Sequence, residues 1–138
     1  ASMGKLVRVA RGVYRMPVWP FQPEAPYAIA VKAAGDGAFL FGESVVALLG
    51  LAPTDPAKVW VGTPRRNRRD LGKGMRLVQA TGVEPVMIEA IPCQPVEEAI
   101  VGAASTMGAT RAIEAAREAS ARGIISERDA ARIESELA

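Results

Sequence analysis

The sequence has 138 residues, of which 49% are apolar and 23% charged, and this composition is typical of one folded domain rather than of a disordered chain. Its single cysteine and its lack of histidine exclude an internal disulfide and a structural zinc site. No apolar run is long enough to span a bilayer and no signal-peptide pattern is found, so we expect a soluble, cytoplasmic protein.

The charges are divided unevenly along the chain. Residues 1–76 contain 12 Lys and Arg against 5 Asp and Glu, a balance of +7, whereas residues 77–138 contain 5 against 10, a balance of −5. A basic half suits a polyanion and an acidic half suits a basic protein, although both can also be ordinary solvated surface.

The chain opens on the basic stretch "GKLVRVARGVYRMP". Alternating apolar residues predict strands at 6–9 and 13–16, with Gly12 in the tight turn between them. Basic hairpins of this kind serve as the wing of a winged helix-turn-helix, where they contact phosphates beside the groove. The predicted phosphate-binding residues of this hairpin are Lys5, Arg8, Arg11 and Arg15.

Prolines dominate the next segment, with four in the ten residues 17–26. This density predicts an extended connector, and we expect Trp19 and Phe21 to pack it onto the core. The alanine-rich residues 27–34 predict a first helix that ends at Gly35.

A short apolar helix is predicted from "GESVVALLGL", closed by Gly50. Because it is apolar on most sides, we expect it to be buried. The alternating, β-branched residues 58–63 then predict a strand.

An arginine-rich run follows this strand directly. Guanidinium groups suit phosphate oxygens, and a glycine-flanked loop would let several of them reach one nucleic-acid backbone. A solvated edge protector beside the strand, or a patch for an acidic protein surface, remains equally open. The candidate nucleic-acid-binding residues of this run are Arg65, Arg66, Arg68 and Arg69.

Strands are also predicted at 75–80 and 85–93, and we place the last of these at a sheet edge because Pro92 cannot donate a hydrogen bond. The apolar period then changes to that of helices, and three are predicted: one behind Pro95, one stopped by Gly123 and one begun by a Ser126–Asp129 capping box. Strands followed by a run of helices predict an α+β fold with a small mixed or antiparallel sheet and about five helices.

No residue pattern in the chain predicts catalysis. Cys93 lacks a histidine to activate it, so we interpret it as a small buried apolar residue. The neighbouring carboxylates Glu97–Glu98 and Glu114/Glu118 fall on predicted helix faces, where charges are usually solvated. We therefore expect a protein that is not an enzyme and that needs no metal or other cofactor.

Three segments resemble one known family, the AbiEi-type antitoxins of type IV toxin–antitoxin systems. The opening hairpin resembles the end of that family's winged helix, and "GESVVALLGLAPTDPAKVWVGTPRRNRR" resembles its helix, proline turn, strand and Pro-Arg-Arg run. Likewise, "IEAIPCQPVEEAIVGAAS" is similar to its Gly-Ile-Pro-Val strand and following helix. The chain departs from the family pattern at Leu49, where histidine is frequent, and at Ala90, where glycine is usual.

The resemblance implies a two-part antitoxin. Residues 4–17 would be the remnant of a winged helix whose preceding helices lie outside this sequence, and residues 18–138 would be the neutralising domain. In its full form such a protein represses its own operon by binding operator DNA, and it counters a toxin resembling a nucleotidyltransferase. The alternative is a nucleic-acid-binding module that acts through the arginine-rich run.

Overall fold

The computed structural model describes residues 7–10, 13–15, 25–54, 58–65 and 74–138. Within these ranges the chain forms five helices and one mixed sheet, which confirms the predicted α+β class. The strands are β1 (Val7–Ala10), β2 (Val13–Arg15), β3 (Phe39–Leu40), β4 (Val59–Thr63), β5 (Met75–Gln79), β6 (Val86–Ile88) and β7 (Ile91–Cys93). The helices are α1 (Ala25–Ala34), α2 (Glu43–Leu49), α3 (Val96–Met107), α4 (Ala109–Ala121) and α5 (Glu127–Leu137).

The seven strands lie in the order β1-β2-β6-β7-β3-β4-β5, and their pairings alternate between antiparallel and parallel across the sheet. The N-terminal hairpin joins the sheet through β2, whose Val13 and Tyr14 pair in parallel with Met87 and Ile88 of β6. The hairpin therefore lies at one end of the sheet and β5 at the other.

The predicted edge position of Pro92 is wrong, because β7 lies in the middle of the sheet between β6 and β3. Its ladder to β3 consists of one residue pair, Leu40 with Cys93, in which the N–H of Gln94 donates to the carbonyl of Leu40 at 2.8 Å. That ladder does not use an N–H from Pro92, so a proline is accommodated in an interior strand.

The prediction of one strand over residues 85–93 is wrong, because Glu89 and Ala90 form a turn that divides it into β6 and β7. Other differences concern a missed strand and the ends of helices. The two-residue strand β3 was not predicted, since two residues cannot show a strand period. Helix α1 begins two residues earlier than predicted, at Ala25, because Pro26 is tolerated in a first turn. Pro95 caps α3 from outside, with φ −51° and ψ 140°, instead of occupying its first position. The prediction for Trp19 and Phe21 lies outside the described residues.

The core is built on the central strands. Leu40 of β3 is in register with Val61 of β4 and with Cys93 of β7, and all three side chains are fully buried. Helix α2 packs against β4 and α3 with six of its seven residues buried, which confirms the prediction of a buried helix. Cys93 is a buried residue, as predicted.

Two buried polar side chains tie the start of α2 to the sheet. Ser44 Oγ accepts a hydrogen bond from the backbone N–H of Trp60 in β4 at 2.7 Å. Gln94, directly after β7, accepts the backbone N–H of Gly42 on its Oε1 at 2.9 Å. Because these bonds satisfy buried backbone donors, they fix the helix relative to two strands.

The C-terminal helices follow the predicted capping pattern. Gly123 stands after α4 with a φ of 74°, and Ser126 accepts the backbone N–H of Asp129 at 3.0 Å at the start of α5. Helix α3 packs against α2, α4 and α5, so the three helices of the acidic half form a helical layer.

Candidate recognition surfaces

The structure describes the beginning of the arginine-rich run. Arg65 is exposed directly after β4, and the hydroxyl of Thr63 donates to the carbonyl of Arg65 at 2.7 Å. This bond fixes the direction in which the chain leaves the sheet. The remaining candidates of the run, Arg66, Arg68 and Arg69, lie outside the described residues.

The turn between α1 and β3 lies against the start of this run. Gly37 has a φ of 80°, which favours glycine, and a Cβ built on it would be 3.2 Å from Cγ of Pro64. Residues 35–38 therefore contact the residue that precedes Arg65, and any side chain at position 37 would be both strained and crowded.

A groove of about 440 Å³ runs from this turn to the connection between β6 and β7. Lys32 and Asp36 provide its charged groups, and both side chains are exposed. Val31, Ile91 and Pro92 form part of its apolar lining. Sequence reasoning missed this groove, because the α1 turn meets residues 90–92 only through the long-range pairing of β3 with β7.

One wall of the groove carries backbone strain. Glu89 and Ala90 form the two-residue turn between β6 and β7, with φ values of 51° and 62°. Turns with two positive φ values favour Asn-Gly, and each other residue placed there costs about 1 kcal/mol. Ala90 also lines the groove. Strain of this kind collects at functional sites, which makes this wall a candidate for recognition.

The structure describes only part of the two predicted basic groups, namely Arg8, Arg15 and Arg65. In the hairpin, Arg8 pairs in register with Tyr14 and Arg15 with Val7, whereas Lys5 and Arg11 lie outside the described residues. Three strands, β6, β7 and β3, separate β2 from β4. Four strand spacings of ~4.8 Å put the hairpin roughly 19 Å from the strand that leads to Arg65. The described strand β2 of the hairpin and the strand β4 that leads to Arg65 therefore lie in separate regions of the sheet.

The acidic half presents a second groove, of about 370 Å³, between α3 and α5. Val101 and Gly102 line it together with charged side chains, namely Glu97, Glu98, Arg132 and Glu136. Glu98 and Glu136 are exposed, as expected for carboxylates on a helix face. This surface is predominantly negative and lies on the helical layer rather than on the strands.

The carboxylate at Glu118 differs from the simple solvated charge that we expected. Its Oε2 accepts the Nε of Arg122 at 3.1 Å. The same guanidinium donates to the carbonyls of Leu49 and Gly50, at 2.7 Å and 3.1 Å, at the C-terminus of α2. The pair is therefore a structural connection between α4 and α2.

Reactive groups are sparse in the described ranges. Burial raises the pKa of the Cys93 thiol to about 12, so the thiol stays protonated at neutral pH. Within residues 7–10, 13–15, 25–54, 58–65 and 74–138, no three His, Cys, Asp or Glu residues are grouped so as to hold a metal ion. The indole N–H of Trp60 is buried and finds no hydrogen-bond acceptor in that same part of the chain. None of the described helices is long and apolar enough to cross a membrane.

Comparison with known protein families, with curated proteins and with solved structures finds no match to this chain.

Proposed function

We propose that this chain is the antitoxin component of an abortive-infection toxin–antitoxin system, a non-enzymatic cytoplasmic protein that counters a toxin resembling a nucleotidyltransferase. The resemblance over residues 4–125 is the observation that carries the proposal. Its second segment spans α2, β4 and the exposed Arg65, and its third spans the β6–β7 turn and the start of α3.

Charge segregation supports a role in recognition. Residues 77–138 have a balance of −5, and the groove between α3 and α5 carries three glutamates against one arginine. Such a surface complements a basic surface on a partner protein, and complementary charge increases both the association rate and the selectivity of binding. Contact with the toxin through the acidic helices leaves the basic hairpin and Arg65 free for nucleic acid.

The nucleic-acid side of the proposal concerns operator DNA. In a form that carries the complete winged helix, Lys5, Arg8, Arg11 and Arg15 would contact phosphates beside the recognition helix. Phosphate contacts position a protein on DNA without selecting a sequence, so base reading would belong to that helix.

The proposal expects a gene for a nucleotidyltransferase-like toxin beside the gene for this chain, and the direct test is binding to the product of that gene. We expect the two purified proteins to co-elute as a stable complex, and we expect salt to weaken it because charges of opposite sign meet. The variant E97Q/E98Q/E136Q removes the three glutamates of the α3–α5 groove and should weaken the complex. Absence of any complex at low salt would contradict a direct-contact mechanism.

The second candidate function is a nucleic-acid-binding module. It is favoured by the exposure of Arg65 and by the Thr63 hydrogen bond that fixes the backbone at Arg65, directly after β4. Replacing Arg65, Arg66, Arg68 and Arg69 by alanine would remove up to four phosphate contacts. When the salt concentration rises from 50 to 200 mM, both proteins should lose affinity for duplex DNA. The factor lost by the wild type should be roughly 150 times the factor lost by the variant.

The matched control removes the same positive charge from the helical layer, by alanine substitution of Arg111, Arg117, Arg128 and Arg132. This variant should keep the wild-type salt dependence, because its changes lie on α4 and α5. Fluorescence anisotropy with a labelled duplex measures both variants. Equal losses in the two would show that net charge, and not the arginine-rich run, governs binding.

A further inference from the structure

Strand β5 is the last strand of the sheet and has β4 as its one neighbour. The ladder between them is regular over five residue pairs, from Val59 with Met75 to Thr63 with Gln79. Its ends are set by the bond from the N–H of Val59 to the carbonyl of Gly74, at 2.7 Å, and by the bond from the N–H of Ala80 to the carbonyl of Thr63, at 2.8 Å.

These two bonds determine which residues of β5 face outward. Gly74 and Ala80 direct their backbone groups to β4, and in a strand the direction alternates from residue to residue. The intervening odd-numbered residues therefore direct both N–H and C=O away from the sheet. They are Met75, Leu77 and Gln79.

No strand in the described part of the chain pairs with this outer edge. Its one hydrogen bond in the described part of the chain runs from Nη1 of Arg76 to the carbonyl of Met75, at 3.1 Å. Strand β5 contains no proline, and its register shows no bulge. An edge strand without such protection is a template for another strand.

We propose that β5 pairs in antiparallel fashion with β5 of a second copy of this chain, about a two-fold axis at Leu77. In this register Leu77 faces its own equivalent, and Met75 faces Gln79 of the second copy. By symmetry Gln79 also faces Met75 of the second copy, which makes three residue pairs. Each is a hydrogen-bonded pair that exchanges both backbone bonds, so every outward N–H and C=O of both strands is satisfied. The N–H of Gln79 from the second copy replaces Arg76 at the carbonyl of Met75.

The side chains of β5 fit this arrangement. Leu77 is half-buried against the core, and its equivalent across the axis would cover its remaining apolar surface. Arg76 and Val78, which pair with Trp60 and Gly62 of β4, lie on the opposite face of the sheet from Leu77. Across the axis Arg76 would face Val78 rather than another arginine, so like charges are not placed directly opposite.

Opposite charge changes at Val78 test this register. Each dimer contains two pairs of position 78 with Arg76 of the second copy. Val78→Glu makes both pairs opposite in charge, whereas Val78→Lys makes both pairs alike in charge. We expect the dimer dissociation constant to fall about five-fold for Val78→Glu and to rise about five-fold for Val78→Lys. Sedimentation equilibrium from about 1 to 500 µM covers the weak affinity of an interface this small.

Leu77→Pro provides a second test. The N–H that it removes faces outward, so the ladder with β4 remains, while the dimer loses both bonds at its axis. This variant should stay monomeric at every concentration. A wild-type protein that is monomeric at 500 µM, or a shift in the same direction for both Val78 variants, would overturn the proposal.

Discussion

Replacing Gly62 by alanine is expected to lower the free energy of unfolding by about 2–3 kcal/mol. Gly62 lies in β4, an interior strand, and pairs with Phe39 on one side and Val78 on the other. A Cβ at this position would overlap the Phe39 ring, 2.7 Å from Cζ. The ring is 2% exposed, so it has no free space into which to move. Strand pairing on both sides prevents the backbone from shifting instead.

Gly102→Ala is the matched control for that substitution. Gly102 lies inside α3, and a Cβ built on it has no heavy atom within 4 Å. Alanine there should stabilise the protein by about 0.5–1 kcal/mol, because it restricts the unfolded chain and suits a helix. Thermal unfolding followed by circular dichroism should therefore move in opposite directions for the two variants. Unchanged stability of the Gly62 variant would contradict the packing of Phe39 over β4.

Replacing Arg122 by alanine is expected to cost about 3 kcal/mol of stability, through the loss of charge-assisted hydrogen bonds. Arg122 lies just after α4, and its guanidinium donates to the carbonyls of Leu49 and Gly50 at the end of α2. Helix α2 closes part of its C-terminus itself, since the N–H of Gly50 donates to Ala47. The next carbonyls depend on Arg122, and its positive charge also suits a helix C-terminus.

Arg117→Ala is the matched control, because Arg117 lies in α4 but does not link α4 to α2. Arg117 pairs with Glu134 of α5, but its side chain is 65% exposed, and exposed pairs contribute little. The midpoint of urea denaturation of Arg117→Ala should match that of the wild type, whereas the midpoint of Arg122→Ala should be clearly lower. Equal midpoints for the two variants would contradict the linking role of Arg122. Arg122→Lys should recover only part of the loss, because an ammonium group cannot reproduce the guanidinium fork.

Local patterns predicted most of the elements. Helix α2 was predicted from its apolar residues and from Gly50, which ends it with a φ of 64°. Helix α5 was predicted from Ser126 and Asp129, whose capping bond is present. Such features depend on neighbours in sequence, so a single sequence carries them.

Strand order could not be predicted, because it depends on long-range pairing. Pro92 indicated an edge strand, yet β7 lies in the interior of the sheet. A proline is tolerated there because the ladder from β7 to β3 consists of a single residue pair. The same limit applies to the candidate sites. Strand β2 of the basic hairpin and strand β4, which leads to Arg65, are separated by three strands, and the groove at Lys32 joins turns that are distant along the chain.

The measurement that tests the central proposal most directly is growth of a bacterial culture that expresses the proposed toxin, a nucleotidyltransferase-like protein, with and without this chain. Expression of the partner alone should arrest growth, and co-expression of the wild-type chain should restore it. Arg117→Ala, an exposed substitution on α4 outside the α3–α5 groove, should restore growth equally. Continued arrest in the presence of folded, abundant wild-type protein would contradict the account of this chain as an antitoxin.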